Sequence, residues 1–456
     1  MSAAPAAVRV LRAAAALLVL GLGLRADAAA ARVLRLRIVH TNDLHGHVER
    51  AAATAGLAAR LRAEADAALF LDAGDCISGT PVSTAFQGRP IFDVLSALRY
   101  DAGTLGNHEF DHGHALVAEF RERASFPLLC ANARGPDGAL LADGESHVFE
   151  VGGLRVGVLG LVTAEVPRMT ARAATAGCTF EAPLEAAKRL VPELRARCDV
   201  LVLLTHVGVE EDAALAGAVP GIDVIVGGHS HTELRTGLLV GSTRIVQARS
   251  NGAFVGVVDL EYDTQARRVA TTTARLERVD PESGPRDGAV QELVDAWEAR
   301  VADQVAEVIG RTSRRLDRRA LRERLEAILA DLADADLGYQ NASGVRADVA
   351  AGDISIRHVW EVLPFDGTLV RLRVRGRDLP AFARERLGAR YDPAHEYTLA
   401  TSSYVADQQS KYLGLRDVPV EDTGRQLRDE VVGWVRSHGG FDPEGRPLPR
   451  RAADGK

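Results

Sequence analysis

The chain has 456 residues, of which 46% are hydrophobic and 26% charged, the balance of a soluble folded protein long enough for two domains. This composition excludes a disordered chain, a collagen-like repeat and a coiled coil. The formal net charge of −7 gives no footprint for a nucleic-acid polymer, so we expect no such partner. Nearly all positive charge is on arginine, and the three lysines are Lys188, Lys411 and Lys456.

Residues 1–30 have the pattern of a signal peptide. Arg9 and Arg12 precede an apolar run, 13–24, and a small-residue stretch, 26–30, follows it. The apolar run is short for a membrane span, and a permanent N-terminal anchor is the alternative interpretation. No later segment has 18 consecutive apolar residues. The pattern therefore predicts an exported protein, periplasmic or secreted, with no membrane span after cleavage.

The four cysteines allow three full disulfide pairings. Export permits disulfides, and Cys178 with Cys198 is the pair we expect because both lie in one segment. The alternative is that all four, including Cys76 and Cys130, are small buried hydrophobic residues.

From residue 33 to about 280 the sequence is typical of an α/β domain. Helical patterns, such as Gly56–Ala67 and Pro90–Leu98, lie between continuous apolar runs, which are typical of strands buried on both faces. Gly152 and Gly153 predict the turn of a hairpin. The predicted buried strands are Leu36–Val39, Ala68–Leu71, Ala102–Leu105, Val200–Leu204 and Val224–Val226.

Near Asp280 the pattern changes. A cluster of Pro and Gly is followed by apolar residues at helical spacing, which predicts a linker and connecting helix over 281–308. The second domain, 309–456, contains an arginine-rich helical pattern, Arg314–Leu332. It also contains a half-buried strand in which apolar residues and arginines alternate over 370–375.

A polar cluster follows each of the five predicted buried strands. In open α/β sheets, ligands bind outside the carboxyl ends of the strands, so we expect these five loops to converge on one edge. Together they carry two carboxylates, four imidazoles and one amide: Asp43, His45, Asp75, Asn107, His206, His229 and His231.

This mixed set of nitrogen and oxygen donors suits two divalent metal ions better than one, and zinc or manganese fits best. An aspartate that bridges two ions is the usual arrangement for hydrolysis of phosphate esters. The neighbouring glycines allow sharp turns and close approach of a substrate. Each motif alone is typical of a capped turn, but five in order, each after a strand, favour a metal centre.

The chain contains, in this order, the motifs HTNDLHGH, GDCISGT, GNHEFDHG, THVG and GGHSH. With them it resembles the calcineurin-like metallophosphoesterases, and most closely their exported 5′-nucleotidase branch. The resemblance implies an α/β fold in which a four-layer αββα catalytic domain, 33–280, is followed by a smaller α+β substrate-binding domain, 309–456.

The same resemblance implies two metal ions that share one ligand, Asp75. In the family, the last His of GGHSH is sometimes replaced by Gln or Asn, which makes His231 the most variable position. The first ion would be held by Asp43, His45, Asp75 and His231, and the second by Asp75, Asn107, His206 and His229.

His108 and Asp111 correspond to a catalytic dyad of the family. Asp111 would fix the imidazole, and His108 would stabilise the phosphoryl group or protonate the leaving oxygen. The alternative is a helix N-cap at Asp111 and an ordinary loop histidine at position 108. We expect the other histidines near these motifs to lie at the surface or outside the ligand set: His40, His47, His112 and His114.

The second domain carries weaker resemblances. The segment 341–346 is similar to NGGGIR, so Asn341 and Arg346 would contact substrate, with Arg346 on the phosphate. Phe365, in an LPF motif, and Tyr404 correspond to two aromatics that clamp a base. Packing in the core is the alternative for both rings.

The second domain also departs from the family pattern. Ala342 and Ser343 replace two glycines, and Ser410 takes the place of an aspartate that binds ribose. Five arginines remain open as a second phosphate contact: Arg315, Arg318, Arg319, Arg322 and Arg324.

The sequence therefore predicts a phosphohydrolase that releases phosphate from nucleoside 5′-monophosphates, by in-line attack of a metal-bound hydroxide. Its partner would be a small phosphorylated substrate, and the sequence does not predict an oligomeric state. A 2′,3′-cyclic-nucleotide phosphodiesterase with 3′-nucleotidase activity, or a UDP-sugar hydrolase, could use the same site. The alternative outside the enzymes is a silent nucleotide-binding or surface-interaction protein.

Overall fold

The computed structural model describes residues 33–441, so the predicted signal peptide lies outside the described residues. Two mixed sheets form the first part of the molecule. Their strands, with two short additional ones, are β1 (Val33–Thr41), β2 (Ala68–Asp72), β3 (Ala102–Thr104), β4 (Leu128–Leu129), β5 (Ala133–Arg134), β6 (Ser146–Val151), β7 (Leu154–Val162), β8 (Thr179–Phe180), β9 (Val200–His206), β10 (Val224–Val226), β11 (Leu238–Val240), β12 (Thr243–Val246), β13 (Phe254–Asp263) and β14 (Arg268–Arg278).

The order of strands in the first sheet is β14-β13-β1-β2-β3-β4, and in the second it is β11-β12-β10-β9-β7-β6. Strands β1 to β4 are parallel, as are β7, β9, β10 and β12, while the remaining strands pair antiparallel. The hairpin predicted at Gly152-Gly153 is confirmed, because β6 and β7 pair on either side of it. Parallel strands place their carboxyl ends at one edge of each sheet.

Helices cover the outer faces of the two sheets. In the first part of the chain they are α1 (Ala51–Ala63), α2 (Pro81–Ala85), α3 (Arg89–Leu98), α4 (Leu116–Arg123), α5 (Pro183–Arg195) and α6 (Val209–Ala218). The inner faces of the sheets pack on each other through alternate strand residues, such as Ile38 and Leu69 against Val156 and Val202. The predicted four-layer αββα arrangement is confirmed.

Successive side chains of a strand point to opposite faces of the sheet, so that β1 packs against both the partner sheet and the helices. Ile38 faces the partner sheet, whereas its neighbour Val39 faces the helices and packs with Leu57 and Phe70. Helix α1 begins at Ala51, five residues before the predicted start at Gly56, because the alanine-rich segment before Gly56 is itself a good helix former.

The remaining elements form the second part of the chain. The strands are β15 (Val308–Thr312), β16 (Leu337–Gly338), β17 (Gly352–Ser355), β18 (Thr368–Arg375), β19 (Glu396–Ser402) and β20 (Val420–Gln426). The helices are α7 (Gly288–Val305), α8 (Arg318–Leu332), α9 (Ile356–Val362), α10 (Ala381–Leu387), α11 (Ser403–Asp407), α12 (Gln409–Tyr412) and α13 (Leu427–His438).

A four-stranded sheet, β16-β19-β18-β20, and a two-stranded one, β15-β17, make the second part α+β, as predicted. Asp287 caps α7 by accepting hydrogen bonds from the backbone N–H groups of Ala289 and Val290. Helix α8 begins at Arg318, later than the predicted Arg314, because Asp317 caps it in the same way. The division of the chain at 280 and 308 stays a prediction.

The structure contradicts the expected disulfide, because all four thiols are free. Cys198 packs with Leu194 in the layer below α5, whereas Cys178 lies in a partly exposed turn. Cys76, Cys130 and Cys198 are buried, in agreement with the alternative interpretation. Within residues 33–441 no helix is long and apolar enough to cross a membrane.

Candidate metal centre and substrate cavity

The loops after β1, β2, β3, β9 and β10 meet at one edge of the sandwich, as the sequence predicts. Six of the seven predicted ligands are the imidazoles and carboxylates that could surround a cation. Their donor atoms form two groups, each within 4.8 Å: Asp43, His45 and His231, and Asp75, His206 and His229. Asp75 also lies within the same distance of His45 and His108.

In the first group, His231 Nε2 lies 3.2 Å from Asp43 Oδ1 and 2.9 Å from His45 Nε2. In the second, His206 Nε2 lies 3.0 Å from Asp75 Oδ2 and 3.9 Å from Asp43 Oδ1. The two groups are therefore adjacent, with Asp43 and Asp75 at their junction.

Polar atoms at this edge are buried without a hydrogen-bond partner among the described residues, namely the amide oxygen of Asn107 and the Nδ1 of His45. The Nε2 of His206 has the Asp75 carboxylate beside it. His206 donates from Nδ1 to the carbonyl of Ala73 at 2.7 Å, which turns Nε2 toward Asp75. Unpartnered donors beside two buried carboxylates fit divalent cations.

The electrostatics agree with that fit. Burial disfavours the imidazolium of His206, but the Asp75 and Asp43 carboxylates and the hydrogen bond to Ala73 together outweigh burial and raise the pKa of His206 to about 10. Burial lowers the pKa of His229 to about 4. The potential that holds a proton between His206 and Asp75 would equally hold a cation, which would displace that proton.

The backbone at the site is left-handed at five of the seven predicted ligands. The φ angles are positive at Asp43 (53°), His45 (49°), Asp75 (54°), His229 (75°) and His231 (53°). Such conformations cost of order 1 kcal/mol or more each for residues other than glycine and cluster at functional sites. The chain therefore places these side chains at a cost in backbone energy.

Two glycines of the motifs are required by close packing around the ligands. A Cβ at Gly106 would lie 2.2 Å from Asp75 Oδ1, and one at Gly228 would lie 2.7 Å from His206 Nδ1. At both positions the missing Cβ makes room for side chains of the site, while the predicted close approach of a substrate stays a prediction.

Three buried polar residues hold the ligand loops and were missed by the sequence analysis. Glu109 accepts hydrogen bonds from the backbone N–H groups of Gly106, Asp75 and Cys76 at 2.6–3.0 Å. Asn42 donates to Asp43 Oδ2 at 2.6 Å. Both lie inside the quoted motifs, which was the available signal.

The third buried residue is Gln247, at the end of β12. Its side chain donates to the carbonyl of Gly228 and accepts from the N–H of Thr232, so it brackets the GGHSH loop. No motif marks Gln247, because its role depends on a contact between distant segments.

The dyad geometry is present. His108 Nδ1 lies 2.7 Å from Asp111 Oδ2, which also accepts a hydrogen bond from Ser78 Oγ at 2.6 Å. Asp111 therefore pairs with His108 and is not the N-cap of the next helix, whose N-cap is Ala115. Burial lowers the pKa of His108, but Asp111 and Asp75 outweigh burial and raise it above its ordinary value.

The four histidines expected outside the ligand set do lie outside the described donor groups. His47 lies 2.9 Å from Glu49, His112 lies 3.6 Å from Asp366, and His114 contacts the carbonyl of Ala174. His40 is fully buried on β1, and burial lowers its pKa to about 3.

A cavity of about 330 Å³ extends from the ligand clusters to the second part of the chain. The four predicted substrate residues all line it: Asn341, Arg346, Phe365 and Tyr404. Arg346 Nη2 lies 3.1 Å from His45 Nε2, so its guanidinium reaches the first donor group.

The two predicted aromatics are half-buried in the cavity wall and so are available to a ligand. The Phe365 ring is stacked on the His108 imidazole, with centroids 5.4 Å apart and planes 6° apart. The Tyr404 hydroxyl lies 3.0 Å from that of Tyr412.

The departures in the second domain have structural consequences. Ser410 is exposed and does not line the cavity, whereas its neighbours Lys411 and Tyr412, which sequence analysis did not select, do. None of the five candidate arginines for a second phosphate contact lines it.

Comparison with known proteins agrees with this architecture. The family model for the calcineurin-like phosphoesterases matches residues 36–233, and the model for the 5′-nucleotidase C-terminal domain matches residues 301–385. The chain therefore combines a calcineurin-like phosphoesterase domain with a 5′-nucleotidase C-terminal domain. It is a metal-dependent phosphoester hydrolase.

The chain is 28% identical to a 5′-nucleotidase of Vibrio cholerae over 76% of this chain and 75% of the relative. It is 29% identical to the trifunctional nucleotide phosphoesterase protein YfkN of Bacillus subtilis over 75% of this chain, and it spans about a quarter (27%) of that longer protein. A crystal structure of a 5′-nucleotidase precursor from Thermus thermophilus superposes with a TM-score of 0.79 and 26% identity, over 91% of this chain and 98% of the other.

Proposed function

We propose that the protein is a dinuclear phosphohydrolase that releases phosphate from nucleoside 5′-monophosphates. One observation carries this proposal: two donor groups that meet at Asp75 form one end of a cavity also lined by Arg346, Phe365 and Tyr404. The two ions would be zinc or manganese, because imidazole ligands suit zinc and carboxylate ligands suit manganese.

The first ion would be held by one set of four ligands, and the second by another, with Asp75 common to both. The sets are Asp43, His45, Asp75 and His231, and Asp75, Asn107, His206 and His229. When bound, such ions supply Lewis-acid stabilisation to phosphoryl oxygens and lower the pKa of a nearby water.

The side chains of this protein would then bind the phosphate and move the proton. Arg346 would pair with the phosphoryl oxygens, since its guanidinium faces the first donor group and has no carboxylate within 4 Å in the described chain. His108 would carry a proton to the leaving oxygen, because a sugar alkoxide is a poor leaving group without one. Asp111 would hold the His108 ring in orientation through Nδ1.

The volume of the cavity and the aromatic residues in its wall support a nucleoside as the leaving alcohol. A volume of about 330 Å³ is at the lower end of the range for small-molecule sites. Phe365 and Tyr404 would stack with the base from the second domain, which would be the substrate-binding domain. Relatives named 5′-nucleotidase support the same substrate.

A panel of phosphate esters tests the proposal. Protein stripped by a chelator and reloaded with zinc or manganese is assayed for phosphate release from a nucleoside 5′-monophosphate, a 3′-monophosphate and an aryl phosphate. A 2′,3′-cyclic nucleotide and a UDP-sugar are assayed for bond cleavage. We expect the 5′-monophosphate to have the highest kcat/KM and the stripped protein to be inactive.

Two outcomes would reject parts of this proposal. Cleavage of the aryl phosphate without any 5′-nucleotide would reject the substrate. A higher kcat/KM for the cyclic nucleotide or the UDP-sugar would assign one of the alternative activities to the site. These alternatives are included in the panel because one relative is named a trifunctional nucleotide phosphoesterase.

We also propose export to the periplasm or the medium, on the strength of the pattern in residues 1–30. Expression of the full chain in a bacterial host, followed by fractionation and N-terminal sequencing, tests it. A cytoplasmic product with an intact N-terminus would contradict export, and a membrane-bound intact product would support the anchor alternative.

A further inference from the structure

The helices α11 and α12 bring a cationic residue into the cavity wall. Lys411, near the end of α12, lines the cavity beside Tyr404 and Tyr412. Its ammonium lies 5.1 Å from the centre of the Tyr412 ring, and no carboxylate of the described chain lies within 4 Å of it. This lysine is one of two within residues 33–441, so composition alone does not account for a lysine at this position.

Each carboxylate that lines the cavity already has a cationic or histidine partner. Asp75 pairs with His206, Asp111 pairs with His108, and Asp366 lies 2.8 Å from Arg428 Nη2. Lys411 therefore adds a positive charge to the wall that no lining carboxylate neutralises.

The residue before Lys411 also favours an anionic ligand at this wall. Ser410 stands where the family resemblance places an aspartate that binds the hydroxyls of ribose, and the Ser410 side chain does not line the cavity. The wall therefore lacks a carboxylate at that position and presents an ammonium and the Tyr404 and Tyr412 hydroxyls, 3.0 Å apart. Ammonium and hydroxyl donors suit an anionic group better than a diol.

We propose that Lys411 binds a second phosphate of the substrate, so that nucleoside bisphosphates are preferred over nucleoside monophosphates. The inference rests on the proposed function, because it takes hydrolysis at the metal centre as given. In this arrangement Arg346 holds the scissile phosphate and Lys411 holds a second phosphate, attached to the ribose.

A pair of substrates that differ in one phosphate tests Lys411. We would measure kcat/KM for adenosine 5′-monophosphate and adenosine 3′,5′-bisphosphate with the wild type, Lys411→Gln and Lys411→Glu, and follow the release of the 5′-phosphate by chromatography. Lys188→Gln is the matched control, because Lys188 is the other described lysine and forms an exposed pair with Glu185.

We expect the ratio of bisphosphate to monophosphate kcat/KM to fall about fivefold in Lys411→Gln and further in Lys411→Glu, and to stay constant in Lys188→Gln. The fall shrinks at high salt, since Lys411 is exposed and ions screen it. An unchanged ratio in both Lys411 variants overturns the inference and leaves the proposed function intact.

Calorimetric titration separates failure of the inference from failure of the proposed function. Chelated protein, which cannot turn over, is titrated with adenosine 3′,5′-bisphosphate. If neither nucleotide is hydrolysed, the proposed function fails, and a weaker Kd in Lys411→Gln than in the wild type still supports the phosphate contact. Equal Kd values overturn it.

Discussion

The two ends of the cavity are built differently. The metal end consists of side chains on loops at the carboxyl ends of buried strands, and Asp43, His45 and His206 are at most 2% exposed. The opposite end is formed by two short helices, whose cavity-lining side chains, Tyr404, Lys411 and Tyr412, are half-buried or exposed. If the proposed function holds, the buried end would carry the chemistry, and the more exposed end would contact the leaving group.

The largest effect should follow from loss of the ligand shared by the two donor groups. Asp75→Asn keeps the size of the side chain but removes the charge that faces His206 and accepts the His108 backbone N–H. We expect phosphate release to fall at least about a thousandfold. Metal content by mass spectrometry checks the cause, and an unchanged content of two ions with full activity would contradict the ligand assignment.

The next largest effect should follow from removal of the proton carrier. His108→Ala should lower kcat about 10²-fold to 10³-fold with a nucleotide, whose alkoxide is a poor leaving group, and less with an aryl phosphate, whose leaving group needs no proton. His147→Ala is the matched control, because His147 is an exposed residue on β6. Equal losses on both substrates would argue against proton transfer by His108.

The wall around Tyr404 should contribute a smaller, substrate-specific effect. Tyr404→Ala should raise KM for a nucleoside monophosphate about tenfold, in line with about 1–3 kcal/mol for stacking of one base. Tyr404→Phe keeps the ring and loses the hydrogen bond to Tyr412, so it should change KM less. A simple alkyl phosphate lacks a base, and a similar KM increase with it would reject stacking.

A smaller effect should come from the residue that holds the Phe365 loop. Arg428 donates to the carbonyl of Pro364 at 3.0 Å and to Asp366 at 2.8 Å, and its side chain is 12% exposed. Arg428→Ala should raise KM about threefold and lower Tm by a few degrees. Arg436→Ala removes an exposed pair with Glu307 and should leave both values nearly constant.

The smallest effect should concern stability alone. Burial raises the pKa of Asp212 from 3.8 to about 7, so the folded state keeps a proton that the unfolded state has lost between these pH values. The free energy of unfolding should therefore fall as pH rises from about 4 to about 7. In Asp212→Asn this component disappears, and urea unfolding at pH 5 and pH 7.5 should show a flatter dependence than in the wild type.

The meeting of the candidate ligands at one edge could be predicted from the sequence, because each of them follows a buried strand within a short motif. The continuous apolar runs predicted the buried strands of an α/β domain, whereas the four-layer αββα arrangement was implied by the family resemblance. Glu109, Gln247 and Arg428 could not be predicted in their roles, because each acts through contacts between segments far apart in the chain.

The sequence also did not identify which further cationic residue lies near the substrate cavity. None of the five candidate arginines lines the cavity, and Arg315 pairs with Asp348. A run of arginines on a helix does not indicate which face meets a ligand. Lys411 was likewise found only when the fold placed α12 in the cavity wall.

Because lysine is scarce in this chain, chemical modification of the lysine in the cavity wall can be followed selectively. Within residues 33–441 an acylating reagent has two lysine targets, Lys188 on an exposed helix face and Lys411 in the cavity wall. The yield of modified Lys411 relative to Lys188, measured by mass spectrometry of peptides, therefore has a built-in reference. A molecule seated against Tyr404 and Tyr412 would shield one amine and leave the other reactive, so the natural composition already provides a footprinting probe of occupancy.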